Sequence, residues 1–412
     1  MTSRRDFIRQ SAVLAGSTAL FGSAFLCSGS RTSAGKSLVV SAAADDMLNN
    51  LKYNPDAVHR AFDAGLKELT GENSLQSAWS SMFSPDDVVG IKVNCIAAPK
   101  ISSSLESIQE TIAGLKSAGV KENNIIVWDH MDRAFRRTGL KINRSSTGVR
   151  VHGTSDQSGV RVPWVEGFDR DVYISLEDGT LEKFRELVDK NFTQDGTHRE
   201  IYNSCAWLNM LIGLENEKAL KYREDMRRLF MDYDREAAKR IAEEVANQFN
   251  DVTIEDEDKS YLSEIVTKDI TKLINIAVLK HNEDSGVTWA TKNIALGVTT
   301  NKIRFHIDYC ARSISEILSL PCLKDKMVLH IGEAAKISTV SVAGAQMAID
   351  NRIFFSKDPV AMDRIGLDIL EEKRAENGLE SIRDIATHVA ACAQKGLGTD
   401  DLARIDWRSL QV

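Results

Sequence analysis

Nine residues of this chain combine a reactive side chain with a position beside a short apolar run: Lys92 and Asn94, Asp129, Lys280 and His281, Lys292 and Asn293, His306, and Asp358. Ammonium groups gathered at strand ends would make a positive pocket for a small anion, and Lys92, Lys280 and Lys292 are the lysines placed to do so. Asn94 and Asn293 suit either the orientation of a ligand or the stabilisation of a turn. His281, His306, Asp129 and Lys280 are the candidates for proton transfer, because histidine alone titrates unperturbed near neutrality and a buried carboxylate or lysine is pulled toward that range. Two histidines and an aspartate also form a metal set by type. No H-x-H or H-x-x-x-H spacing joins them, so the histidines read first as structural hydrogen-bonding groups and the metal stays unassigned. Asp358 followed by Pro359 has the form of a helix N-cap and first helical residue, a place where free N–H groups suit an anion.

The elements that must carry these residues follow from the apolar pattern. Leu273 to Leu279 reads as a buried strand that delivers Lys280 and His281 to its C-terminal end, followed by a polar loop through Lys292 and Asn293. Val88 to Val93 is a second buried strand, Leu105 to Ala118 an amphipathic helix closed by Gly119, and Asn124 to Trp128 a third strand ending at Asp129. Strand, helix and strand at this spacing form a βαβ unit with parallel pairing and a right-handed crossover. Further strands are expected at Ser37–Ala43, Lys326–Gly332 and Arg352–Ser356, and further helices at Asn54–Leu69, Ile314–Leu320, Asp358–Lys373 and Ile382–Gln394, before a short polar tail. The fold class is therefore α/β, with a mainly parallel sheet flanked by helices. The ends at Asn94, Asp129 and Lys280, the loop at Lys292–Asn293 and the helix start at Asp358 should meet at the C-terminal edge of that sheet.

Residues 166–258 have a different character. Leu181 to Phe192 and Asn216 to Phe249 are highly charged and apolar at helical spacing, which predicts a helical insertion dividing the α/β domain into 35–165 and 259–412. At the N-terminus, Ser3-Arg4-Arg5-Asp6-Phe7-Ile8 precedes a modestly apolar run from Ala12 to Leu26 that is too short to span a bilayer. That combination is a twin-arginine signal peptide over residues 1–34, with the twin-arginine translocase as partner during export and a periplasmic or extracellular destination. Its removal takes away four arginines against one aspartate, moving the formal net charge from −7 to −10. An acidic chain without a basic tract is a poor ligand for nucleic acid or for an anionic membrane surface. The six cysteines are widely spaced without a C-x-x-C pair, so no iron–sulfur cluster is expected, and free thiols are favoured over a Cys310–Cys322 disulfide. No G-x-S-x-G elbow, P-loop or G-x-G-x-x-G supports a serine hydrolase, a P-loop NTPase or a dinucleotide-binding protein.

VGIKVN (89–94), GLKSAGVKENNIIVWD (114–129), LINIAVLKH (273–281), GVTWATKN (286–293), RFH (304–306) and DPVAMD (358–363) together resemble the exported, twin-arginine branch of the family called domain of unknown function 362. The resemblance implies an α/β protein without a settled activity. This chain departs from the family pattern at Ser102-Ser103-Ser104-Leu105, where relatives tend to carry Ser-Thr-His-Pro, at His130, often arginine, and at Ile337 to Val340, where Gly-Gly-Pro is common. It also lacks the ferredoxin-like cysteine cluster fused to some members. The expected function is an exported enzyme acting on a small anionic metabolite, with a metal or organic cofactor left open. The alternatives are a non-catalytic small-anion binding protein and an assembly factor that docks a partner through the helical insertion.

Overall fold

The structure, a computed structural model, describes residues 35–156, 164–175, 258–302, 305–306, 309–341 and 344–412. In chain order the strands are β1 (Ser37–Ala43), β2 (Leu48–Asn49), β3 (Lys52–Tyr53), β4 (Val89–Lys92), β5 (Ile125–Met131), β6 (Arg150–Ser155) and β7 (Phe168–Ser175), then β8 (Lys259–Ser263), β9 (Lys272–Asn282), β10 (Gly286–Thr288), β11 (Met327–Ser338), β12 (Met347–Ile349), β13 (Arg352–Ser356) and β14 (Ile405–Gln411). The helices are α1 (Pro55–Thr70), α2 (Leu75–Met82), α3 (Leu105–Ser117), α4 (Ala290–Gly297), α5 (Ala311–Ser319), α6 (Pro321–Lys324), α7 (Pro359–Glu376) and α8 (His388–Gln394).

Ten strands form one sheet in the order β14-β1-β13-β11-β9-β4-β5-β6, with β10 attached to β9 and β12 to β11. Every strand of that path runs the same way except β13, which is antiparallel to both neighbours. The apolar run at 273–279 is buried throughout because β9 lies in the middle of the sheet with helices over both faces. One face packs on α1, α2 and α3 through Phe62, Leu66, Trp79 and Ile108, with Ile274 and Ile276 contributed by β9. The other packs on α4, α5, α7 and α8 through Ile294, Ile314, Ile365 and Val389, with Leu273 and Leu279 from the same strand. Successive side chains of β9 alternate between the two cores, as the pleat requires.

The βαβ unit forms as read: β4 pairs in parallel with β5, Val89 opposite Ile125, and α3 crosses between them. Ser104 caps α3, and Gly119 just past its end takes a φ of 90°, the left-handed turn that lets the chain enter the next strand. The chain leaves β4 through α3 on one face of the sheet and leaves β9 through α4 on the other, yet β4 and β9 are hydrogen-bonded neighbours. The direction of winding therefore reverses between their C-terminal ends, the position at which open α/β sheets hold ligands.

Four expectations are corrected. The segment carrying Lys292 and Asn293 is not a loop but the buried helix α4, which the dense apolar spacing of Trp289, Ala290, Ile294 and Ala295 favours once a sheet lies beneath it. The polar tail is strand β14, which pairs in parallel with β1, Ser37 opposite Ile405. The helix expected over Ile382–Gln394 is a short turn at Arg383–Ile385 followed by α8. The inserted stretch begins as a strand, since β7 pairs with β8 and brings Ser175 opposite Lys259. The ends of the insertion are thus held together by a β-ribbon, while the helices expected at 181–192 and 216–249 lie outside the described residues. Residues from both 35–165 and 259–412 build the same sheet.

Candidate functional site

Lys92 ends β4 and Asp129 stands near the end of its neighbour β5, so parallel pairing brings the two to one edge. The Lys92 Nζ donates to Asp129 Oδ1 at 2.8 Å and to the Val93 carbonyl at 2.5 Å. Asp129 Oδ2 also accepts from the Cys95 N–H at 2.8 Å, and Oδ1 from the His130 N–H at 2.7 Å. Burial acts to raise the Asp129 pKa, but the Lys92 ammonium and these donors outweigh it and hold the carboxyl below its ordinary value. Asp129 is therefore an ionised, fully engaged carboxylate.

A chain of amides leads from this edge across to α4. Lys280 Nζ donates to Asn94 Oδ1 at 2.7 Å, Asn94 Nδ2 to Asn293 Oδ1 at 2.8 Å, and Asn293 Nδ2 to Asn275 Oδ1 at 2.7 Å. Asn275 closes the chain by donating to the Ala290 carbonyl at 3.0 Å. The loop after β4 is fixed to β9 by Ser103, whose hydroxyl accepts from the Asn94 N–H and donates to the Ile276 carbonyl at 2.7 Å. The amide oxygens and nitrogens of Asn94, Asn293 and Asn275 each have a partner, which is the condition for keeping such a chain inside a core. Lys280, only 1% exposed, has no carboxylate within ion-pair distance among the described residues. Burial lowers its pKa to about 8, Asp129 acting to raise it and the charges of Lys292 and Lys92 to lower it further.

Lys292 lies in the field of Lys280 but is held separately, by Asn282 Oδ1 at 2.7 Å and the Ser285 hydroxyl, and burial lowers its pKa. The lysines thus adjoin within the interior rather than lining a single open pocket. His281 is buried with Nδ1 against the Val340 carbonyl, and His306 is half-buried in a turn beyond Lys302. Asp358 does not join them. Because β13 is antiparallel, with Ser356 level with His330 and His330 level with Asn275, its C-terminal end points to the opposite edge from Lys280. There Asp358 caps α7 by accepting from Val360 and Ala361 and also accepts from Thr399 and Ser37, so its oxygens are committed to the fold.

The sequence reading did not single out Cys95, Arg133, Arg136, Arg137 or Lys302 as candidate site residues. Cys95, directly after Asn94, forms part of a cavity of about 400 Å³ whose other walls include Ile96, Met131, Arg133, Arg136 and Arg137. The three arginines fall within five residues of a turn that follows β5, a signal present in the sequence once Asp129 is placed at a strand end. Arg136 and Arg137 are exposed and form no ion pair among the described residues. The Cys95 thiol is pushed well above its usual pKa, mainly by burial and by Asp129, against the lowering charges of Lys92 and Lys280. Lys302 donates to the Leu296 carbonyl at 2.6 Å, at the negative end of α4. Burial lowers its pKa to about 7, with Asp129 opposing that shift and Lys92 adding to it. His130 packs against Phe168 with the rings tilted and their centroids 5.4 Å apart, and burial followed by the charges of Lys302 and Lys92 keeps its imidazole neutral. Among the described residues no cluster of three or more His, Cys, Asp or Glu is placed to hold a metal, and Cys95, Cys310, Cys322 and Cys392 form no disulfide. No described helix is long and apolar enough to cross a membrane.

Fold and geometry together define an α/β protein in which buried lysines, amides and a carboxylate gather at one edge of a mostly parallel sheet. The model of the family described as Domain of unknown function (DUF362) matches residues 197–368, and over that stretch the chain is similar to this family. The match includes Lys280, His281, Lys292, Asn293, His306 and Asp358, while Lys92, Asn94 and Asp129 precede it. A crystal structure of a protein from Thermotoga maritima is similar at a TM-score of 0.33 and 9% identity, over 84% of this chain and 60% of that one, so the chain spans less than two thirds of that protein's length. No curated protein matches the chain.

Proposed function

We propose that this protein binds a small anionic metabolite at the switch-point crevice and acts on it as an enzyme, with Lys280 exchanging a proton with the bound ligand. The observation that carries the reading is the joining of two features at Cys95. It lines a cavity rimmed by Arg133, Arg136 and Arg137, and its thiol lies in the fields of the buried ammonium groups of Lys92 and Lys280. Arginine rims select anions through bidentate hydrogen bonds, and a lysine whose pKa is near 8 is matched to proton exchange around neutrality. Asp129 is assigned the role of holding Lys92, and Asn94 that of orienting Lys280.

Titration calorimetry of the full chain against small phosphorylated and carboxylated metabolites tests this. Replacing Arg136 and Arg137 with serine should weaken binding by about tenfold or more, the loss of one or two charge-assisted contacts, and leave the melting temperature nearly unchanged because both side chains are exposed. Lys280→Met should abolish turnover of a bound metabolite while the fold persists. If no anion binds, the reading fails; binding without turnover of any ligand would leave a non-catalytic anion-binding protein. The proposal also includes export before function, through the Arg4-Arg5 signal.

A further inference from the structure

The cavity beside Cys95 has walls of two kinds. Ile96, which lines it, is 72% exposed, the most of any large apolar side chain among the described residues. Single exposed apolar residues are ordinary, but this one is held out by its backbone. The Cys95 N–H donates to Asp129 Oδ2 at 2.8 Å, the Ala98 N–H to the Cys95 carbonyl at 3.1 Å and the Ser103 N–H to the Asn94 carbonyl at 2.9 Å, so the loop carrying Ile96 is tied on both sides. Ala98, Met131 and Ala134 continue the apolar wall. The other wall is cationic. Arg133, Arg136 and Arg137 belong to one turn, whose single carboxylate, Asp132, is taken by Arg144 at 2.8 Å. Phe135, 1% exposed, anchors that turn in the core and so fixes its backbone beside the cavity. The two walls join at Arg133, whose Nε donates to the Met131 sulfur at 2.7 Å. At about 30 Å³ per water, a cavity of about 400 Å³ holds about thirteen water volumes, more than a bare phosphate or carboxylate fills.

We infer, on the basis of the anion-binding reading above, that the ligand of this cavity is an amphiphilic anion, a carboxylate or phosphate head joined to an apolar body, with about ten non-hydrogen atoms in all. The head takes the guanidinium groups through charge-assisted hydrogen bonds, and the body covers Ile96, Ala98 and Met131. Burial of the body supplies affinity that a bare anion lacks, up to about fourfold for each methylene. The flexible thioether of Met131 fits bodies of differing shape, so the cavity selects by charge and length more than by contour. A hydrophilic anion leaves Ile96 in water, and a neutral amphiphile leaves the arginines without a counter-charge.

Titration calorimetry on the full chain at neutral pH separates head from body. Acetate and inorganic phosphate are heads alone, octanoate joins a head to a chain, and 1-octanol is the chain without the charge. Octanoate should bind at least about tenfold tighter than acetate, phosphate or 1-octanol. Ile96→Ser should remove most of the advantage of octanoate over acetate with little change in melting temperature, since the side chain is exposed. Replacing Arg136 and Arg137 with serine should instead weaken octanoate by about tenfold or more and leave 1-octanol unaffected. Octanoate bound no tighter than acetate or phosphate would overturn the inference while leaving anion binding intact, and 1-octanol bound as tightly as octanoate would overturn it in favour of a purely apolar pocket. Cosedimentation with phosphatidylglycerol vesicles that Ile96→Ser abolishes, in a protein that does not bind octanoate, would overturn it in favour of a membrane contact. Failure of acetate, phosphate and octanoate alike to bind would remove the underlying reading as well.

Discussion

Lys92 and Asp129 stand 37 residues apart in the chain and meet at 2.8 Å on neighbouring parallel strands. Both are buried, and the pair fastens the ends of β4 and β5 together, next to Cys95, which lines the cavity and donates its N–H to Asp129. Removing one partner of such a pair leaves the other charged and unmatched. Lys92→Met should therefore cost about 3–5 kcal/mol in urea denaturation, and Lys92→Met combined with Asp129→Leu should recover much of that loss. Since Asp129 is held below its ordinary pKa, the stability it provides is complete above the usual carboxylate range and is lost on acidification through its lower folded value. Asp129→Asn should flatten that acid limb, and an unchanged limb would show that the pair does not stabilise the fold.

Lys280 behaves in the opposite sense. Its folded pKa of about 8 lies below the unfolded value of about 10.4, so between these limits the unfolded chain binds more protons and the ligand-free protein gains stability as pH rises. At neutral pH the buried charge costs on the order of 3 kcal/mol, so Lys280→Met should melt higher than the parent at pH 7 and lose the alkaline rise. Thermal melts from pH 6 to 10 in anion-free buffer decide this. A parent profile parallel to that of Lys280→Met would refute the assigned shift.

Gly297, the last residue of α4, tests how closely the helix seats on Lys92. A Cβ there would lie 2.2 Å from Lys92 Cε and 2.7 Å from its Nζ. Alanine is favoured over glycine within a helix by about 1 kcal/mol, so the two effects oppose each other. Because Lys92 is tied to Asp129 and cannot swing away without breaking the pair, Gly297→Ala should be destabilising by about 1–3 kcal/mol and should weaken anion binding. A higher melting temperature would show that Lys92 has room to move.

Export is checked apart from the chemistry. Changing Arg4 and Arg5 to lysine should strand the full-length precursor in the cytoplasm, as judged by fractionation and by the size of the product. Normal processing of the double variant would withdraw the twin-arginine assignment.

The sequence by itself determined the local elements near the site. The apolar run before Lys280 and the Ser104 cap each depend on neighbours along the chain, and the βαβ unit that carries Lys92 and Asp129 to one edge followed from their spacing. What only the tertiary structure decided was the strand order and direction. Nothing in Arg352–Ser356 states that it runs against its neighbours, since a short strand with the buried apolar centre Ile353–Phe355 satisfies either pairing. That one reversal carries Asp358 to the far edge and out of the site. In the same way Lys292 and Asn293 became buried helical residues because a sheet lay ready to cover α4, and Lys302 and Arg136 entered the site through folding alone. Side-chain type and local spacing are properties of the chain, whereas which charged groups meet in the folded protein is set by contacts between segments far apart in it, as with Lys92 and Asp129.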